Sequence, residues 1–206
     1  MRINGKKAYK KSMHEKRSIL QKIAFLPIDT YFFINEQVLP TRLSILLTFK
    51  RIYGFFPSFT HPKTLNEKLQ WKKLYDTQKF YTMCADKYAV REYIAQELGK
   101  KYLTPLLYET TDPDTIDFSK LPKSFVVKGN QGGGMTYFVY DKDKEDLEHI
   151  RNVCKKWMHN DFYRLAREWQ YKDIKRRILI EEMLLDDTHE IPADFKFHCF
   201  HGKLQF

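Results

Sequence analysis

The chain has 206 residues, enough for roughly one to two domains and a sizeable core. Its 43% hydrophobic and 16% aromatic content excludes a disordered, collagen-like or low-complexity chain. The 36 Lys and Arg against 26 Asp and Glu give a net charge of +10, yet residues 1–22 hold eight bases and one acid, so +7 sits there and +3 in the remainder.

Residues 1–18 read as a polar, basic arm. Gln21 and Lys22 interrupt any apolar stretch before it reaches signal-peptide length. The apolar run Leu43 to Phe49 is bounded by Arg42 and Lys50 and falls far short of the ~20 residues of a membrane span. From Ile19 to Phe56 apolar residues come in short clusters punctuated by Pro27 and Pro40, which predicts two or three short helices. Two readings of that region stay open: helices packed on the domain that follows, or a basic amphipathic segment lying on an anionic membrane.

Thr64-Leu65-Asn66-Glu67 is a capping box, and Leu65, Leu69 and Trp71 follow at helical spacing. A second helix is predicted from about Ala85 to Leu98, with Gly99 at C′. An extended segment around Leu103–Tyr108 precedes a polar connection with Asp112-Pro113-Asp114. Strand Phe125–Lys128, the loop Gly129-Asn130-Gln131-Gly132-Gly133-Gly134 and strand Thr136–Tyr140 form a hairpin. A helix from about Lys144 to Met158, capped by Asp143, turns Leu147, Ile150, Cys154, Trp157 and Met158 inward. After a polar, aromatic stretch to Lys175 come a buried-looking strand, Arg177–Glu182, and the segment Asp194–Phe200 with a turn at His201-Gly202. The ending at Phe206 lies inside a strand without a polar tail, as expected of a truncated domain. The fold class expected is α+β, antiparallel β with flanking helices, preceded by a helical basic N-terminal segment, with a boundary between 1–55 and 56–206.

Cys84, Cys154 and Cys199 are far apart and odd in number, which points away from a disulfide framework and toward a reducing, cytoplasmic setting. The glycine-rich loop is the sharpest chemical signal. It matches neither G-x-x-x-x-G-K-[ST] nor a G-x-G-x-x-G that opens a helix. Between two strands it has two readings: a hairpin that closes over a polyphosphate through backbone N–H groups, with Lys128 supplying a point charge, or a turn without a ligand. Glu181 and Glu182, ending an Ile-Leu-Ile strand, suit an adenine amino group or a ribose hydroxyl, although acids in that position more commonly form a solvated strand end. Asp194 and Lys196 share one strand face, which pairs a carboxylate with an ammonium. His198 and His201 flank Cys199 on opposite faces, which argues against a metal site. Basic and aromatic residues interleave from Lys72 to Tyr81, but no nucleic-acid-binding signature accompanies them, so no nucleic-acid partner is expected.

In order and spacing these blocks resemble the TupA-like (teichuronopeptide-biosynthesis) ATP-grasp family over about residues 54–205. Lys63-Thr64-Leu65-Asn66-Glu67-Lys68-Leu69-Gln70-Trp71 is similar to its "PkTfNEKlqW". Asp86-Lys87-Tyr88-Ala89-Val90-Arg91-Glu92-Tyr93 is similar to "DKyaVReY". Phe125-Val126-Val127-Lys128-Gly129-Asn130 resembles "FvlKcN", and Asp194-Phe195-Lys196-Phe197-x-Cys199-Phe200 matches a later block. The resemblance implies ATP held with Lys87 and Lys128 on its phosphates and Gly129, Gly132, Gly133 and Gly134 closing over them. It places Ile180 to Met183 as the adenine hinge, with Glu181 or Glu182 nearest the base, Asp194 near the ribose and Lys196 as the candidate catalytic residue. It further implies activation of a carboxylate as an acyl phosphate for attack by an amine, on a sugar acid or polysaccharide of the cell surface.

Gln131-Gly132-Gly133-Gly134 replaces the family's "hgSG", which removes a hydroxyl and keeps the backbone donors. The family's Mg²⁺-binding acids follow the last block, so the metal ligands are expected beyond Phe206 and the polypeptide alone is expected to be catalytically incomplete. The alternatives are a glycosyltransferase, for which Asp112-Pro113-Asp114 supplies a formal D-x-D, and a non-catalytic fragment that binds a membrane-associated partner through its basic arm. Under either, location is cytoplasmic or peripheral at the inner membrane face.

Overall fold

A computed structural model describes residues 26–188, 190–193 and 195–205. The basic arm and Asp194 therefore lie outside the described residues. The chain divides into two compact units, one of residues up to Lys87 together with Asn160–Lys175, the other of Tyr88–His159 and Arg176 onward.

In the first unit, α1 (Ile28–Gln37) and α2 (Thr41–Tyr53) each start directly after a proline, Pro27 and Pro40, both in extended backbone. A proline there loses nothing, because the first N–H groups of a helix have no intrahelical acceptor. Tyr31 and Leu47 are fully buried against one another, with Leu26, Leu39 and Leu43 packed around them. Helix α3 (Leu65–Tyr75) opens on the expected capping box. The Glu67 carboxylate accepts the backbone N–H groups of Ser58 (3.0 Å), Lys63 (3.1 Å) and Thr64 (2.9 Å). One side chain thus both caps the helix and fixes the loop before it. The Asn160–Lys175 segment is tied into this unit by Arg167, whose guanidinium donates to the carbonyls of Asn35 and Glu36, and by Lys73, which donates to the Ala166 carbonyl at 3.0 Å.

The helix expected over Ala85–Leu98 begins only at Val90, as α5 (Val90–Glu97), and a separate short helix not expected from the spacing, α4 (Lys79–Ala85), precedes it. Asp86 leaves helical dihedrals (ψ 107°), and a turn through Lys87, Tyr88 and Ala89 carries the chain from one unit to the other. Aspartate competes for its own backbone and is a poor interior helix residue, which is the local reason for the break. Gly99, at φ 103°, terminates α5 as expected.

The second unit is built on one antiparallel sheet of β1 (Leu106–Thr110), β2 (Phe125–Gly129), β3 (Thr136–Val139) and β4 (Ile178–Glu182), in the order β1-β4-β2-β3. Helix α6 (Leu147–His159) covers one face. Asp146, rather than Asp143, caps it, accepting the His149 N–H at 3.0 Å; Asp143 sits in a preceding 3-10 turn that Asp141 caps. Phe125, Val127, Val139, Ile150, Cys154, Ile178 and Ile180 form the core, with Leu147, Trp157 and Met158 packed against it as their spacing predicts. Each such side chain contributes about 1.5–3 kcal/mol on burial. The strand expected over Asp194–Phe200 shrinks to β5 (Cys199–Phe200), paired with β6 (Lys203–Leu204) across a turn with both His201 and Gly202 at positive φ. The fold class is α+β with an antiparallel sheet and flanking helices, as expected. No helix among the described residues is long and apolar enough to cross a membrane.

Two measurements follow from these contacts. The three backbone donors on Glu67 hold its carboxyl at about 2, below its ordinary 4.5. Its folded-state pKa is depressed, so its stabilising contribution is complete above pH 4.5 and is lost as the pH falls toward 2. Glu67→Gln should lower the urea midpoint at neutral pH, with the gap to the unsubstituted protein closing as the pH drops through that window; a constant gap would refute the assignment. Burial pushes the Cys154 thiol up to about 11, whereas Cys84 and Cys199 are exposed. A thiol reagent should therefore modify two cysteines in the folded protein and the third only on unfolding.

Candidate functional site

Period-two alternation sorts the sheet residues between two jobs. Val127 pairs with Ile180 on the face that α6 covers, whereas Val126 pairs with Glu181 and Lys128 with Leu179 on the other. Glu181 and Glu182, adjacent in sequence, are thus separated: Glu181 shares the face of Lys128 and is buried, while Glu182 ends the strand exposed, its N–H bonded to the Pro105 carbonyl at 3.0 Å.

On that second face the Glu181 carboxylate takes two cations. Lys128 Nζ lies 2.7 Å from Oε2, and Arg91 Nη1, from α5, lies 2.8 Å from Oε1. Arg91 Nη2 also donates to the Thr104 carbonyl at 2.6 Å. The side chains of Glu181, Arg91 and Lys128 are 8%, 17% and 30% exposed, so the outermost member is the lysine. Val126 and Leu179 are buried on the same face, giving the charged cluster an apolar floor. Sequence reasoning does not single out Arg91 as a site residue. Its position in the Asp86–Tyr93 block is the available signal, but nothing local shows that its fork reaches a glutamate 90 residues away.

The glycine loop leaves directly from Lys128. Gly129 N–H donates to the Met135 carbonyl at 3.0 Å and closes the hairpin, and a Cβ on Gly129 would lie 2.9 Å from the Met135 sulfur. Asn130 is fully buried: its N–H reaches the Arg177 carbonyl (3.1 Å) and its Oδ1 accepts the Arg177 N–H (2.7 Å). Gln131 Nε2 donates to the Trp157 carbonyl at 3.0 Å. Gly132 and Gly134 hold φ of 73° and 75°, a conformation that disfavours side chains. Gly133 has an ordinary φ and open space where a Cβ would stand. The loop is therefore fixed at its root and exposed at Gly133-Gly134.

Arg177 pairs with Glu109 at 2.5 Å and stacks over the Tyr88 ring, 4.6 Å from its centroid, at the start of β4. Met183 is buried just past the end of that strand. Lys196 lies in the exposed segment before β5, and Lys87 belongs to the other unit. The structure thus brings together Lys128, Glu181 and the Gly129–Gly134 loop. Asp112 caps a 3-10 turn by accepting the Asp114 N–H at 3.0 Å, and Asp114 pairs with Lys155 at 2.6 Å, so both carboxylates of the D-x-D serve a surface turn. Among the described residues no group of three His, Cys, Asp or Glu side chains could hold a metal ion.

No curated protein and no solved structure matches the chain significantly. A family model does: that of the TupA-like ATP-grasp proteins matches residues 67–206. The matched stretch exceeds half of the chain and takes in the whole four-stranded sheet, the glycine loop and the Lys128–Glu181–Arg91 cluster, and by that match this chain belongs to the TupA-like ATP-grasp family.

Proposed function

We propose that this chain binds ATP over the sheet face bearing Lys128 and uses it to activate a carboxylate for attack by an amine, in assembly of a cell-surface polysaccharide. Family membership supports the ATP-dependent, ligase-type part of that reading. The observation that carries it is the charge balance at the root of the glycine hairpin. Glu181 brings one negative charge and Arg91 and Lys128 bring two positive ones, so a net +1 remains beside a loop whose tip is open backbone. Such a pairing suits a polyphosphate: backbone N–H groups approach the oxygens, and an ammonium supplies a point charge.

The reaction in this reading has two steps. A substrate carboxylate oxygen bonds to the γ-phosphorus as the bond to the ADP oxygen breaks. The amine nitrogen then bonds to the acyl carbon and loses a proton as inorganic phosphate leaves. Lys128 holds the phosphates, Gly129, Gly132, Gly133 and Gly134 exclude water from them, and Met183 borders the base. Asp194 is assigned to the ribose and Lys196 to the reacting carboxylate. ATP-grasp enzymes use Mg²⁺ with ATP, and the roles assigned here to this chain's residues are binding and orientation.

Calorimetry with Mg-ATP tests the site. Lys128→Ala should weaken binding about 10- to 100-fold, the scale of one charge-assisted contact. Gly133→Ala should leave the thermal midpoint unchanged, since its Cβ meets nothing, and still reduce affinity if the phosphates approach the loop. Unchanged affinity in both variants would remove ATP from this face.

Arg91 supplies a second test. With Arg91→Gln the Glu181 charge falls to Lys128, and ATP affinity should drop. Adding Glu181→Gln should restore it by releasing the lysine. A double variant that binds as poorly as Arg91→Gln alone would show that Arg91 does not act through this carboxylate.

A further inference from the structure

The net charge is unevenly divided between the two units. The described part of the first unit (26–87 and 160–175) has 13 bases and 8 acids, and residues 1–25 add a further +7, whereas the second unit has 15 bases and 17 acids. The cationic half also carries a local cluster of exposed aromatics at the end of α2. Helix α2 ends at Tyr53 and is capped by Gly54 at φ 81°, which turns the chain back on the last helical turn. Phe49 is buried there with its ring 4.4 Å from Tyr53 and 5.3 Å from Phe55, and Lys50 lies over the Phe56 ring at 5.5 Å. In this stretch Ile52, Tyr53, Phe55 and Phe56 are 66%, 43%, 47% and 39% exposed. Four large apolar side chains within five residues form one exposed knuckle at a helix end.

Basic charge joins the chain at the same place. Arg51, the residue before Ile52, donates from Nη1 to the Leu26 carbonyl at 2.9 Å. The described chain begins at Leu26, so the segment carrying eight bases is attached beside the knuckle. Lys50, laid along Phe56 with its ammonium on the Gly54 carbonyl, adds a cation at the rim with its stem on apolar surface.

We infer that the Ile52–Phe56 knuckle inserts into an anionic phospholipid surface, with the basic arm and Lys50 supplying the attraction to lipid headgroups. Apolar insertion and polybasic attraction act together because either alone gives only weak, reversible binding. The inference does not use the Lys128 cluster: the knuckle belongs to the first unit, and that cluster to the second.

Vesicle co-flotation of the full chain tests it, comparing phosphatidylcholine with the same lipid containing about 30 mol % phosphatidylglycerol. The protein should float with the anionic vesicles at low salt and with neither at high salt. Ile52→Ser and Phe55→Ser should each reduce binding about tenfold or more, with thermal midpoints checking that the variants fold. Ile52 has the most exposed side chain of the four and so the least packing to lose. The indole emission of a Phe55→Trp variant should shift to the blue on anionic vesicles. Failure of the protein to float, serine variants that float undiminished, or an unshifted emission from the Phe55→Trp variant would each overturn the inference; the second result would assign the membrane contact to the arm alone.

Discussion

A carboxylate buried on a sheet face requires compensation, and that requirement organises the second unit. Removing Glu181 from water costs several kcal/mol, which attraction offsets only where the geometry is good and the remaining lone pairs are satisfied. Here the two cations come from different elements, Lys128 from β2 and Arg91 from α5. The Arg91 fork also holds the Thr104 carbonyl, just ahead of β1. One acid thus fixes the helix, the approach to the edge strand and the direction of the lysine. Arg91 and Lys128 together set two positive charges against the one negative charge of Glu181.

The glycine loop repeats that division between a fixed root and an available tip. Asn130 and Gln131 fix its first half through backbone groups of Arg177 and Trp157, and Met135 fills the space under Gly129. Beyond Gly132 a Cβ at Gly133 or Gly134 would meet nothing within 4 Å, and both residues are exposed. A loop mobile throughout would lose more entropy on closing over a ligand, whereas a packed loop would present no donors. Substitution at the root therefore reports on folding. At Gly133 it reports on what approaches from outside.

Local patterns make much of this legible in the sequence. The capping box at Thr64, the inward stripe of α6 and the hairpin around the glycines all depend on near neighbours, and all stand where the spacing puts them. The misplacements share a cause. Asp86 breaks a helix that its apolar spacing alone would continue, and Asp146 captures the cap that Asp143 also offers, because two competing local hydrogen-bond choices look alike in one dimension. The pairing of Arg91 with Glu181 is invisible for a different reason: it depends on how α5 lies on the sheet. The sorting of Glu181 from Glu182, by contrast, follows from strand alternation once the Ile178–Ile180 face is known to be the core.

The whole-chain charge of +10 has to be resolved into places before it says anything about partners. At physiological salt, charges act over about 8 Å. In the proposed reading a phosphate at the glycine loop would meet the single uncancelled charge of the Lys128 cluster, set in a unit whose bases are outnumbered by its acids. The +7 of the N-terminal segment adds up only on a partner that presents many negative charges side by side. A nucleotide is too small to collect that sum. An extended anionic surface is not, and the exposed aromatics next to the root of the arm favour one whose interior is apolar. On the two proposals, the same composition would serve two separate recognition problems, one met by a local imbalance of a single charge and the other by accumulation.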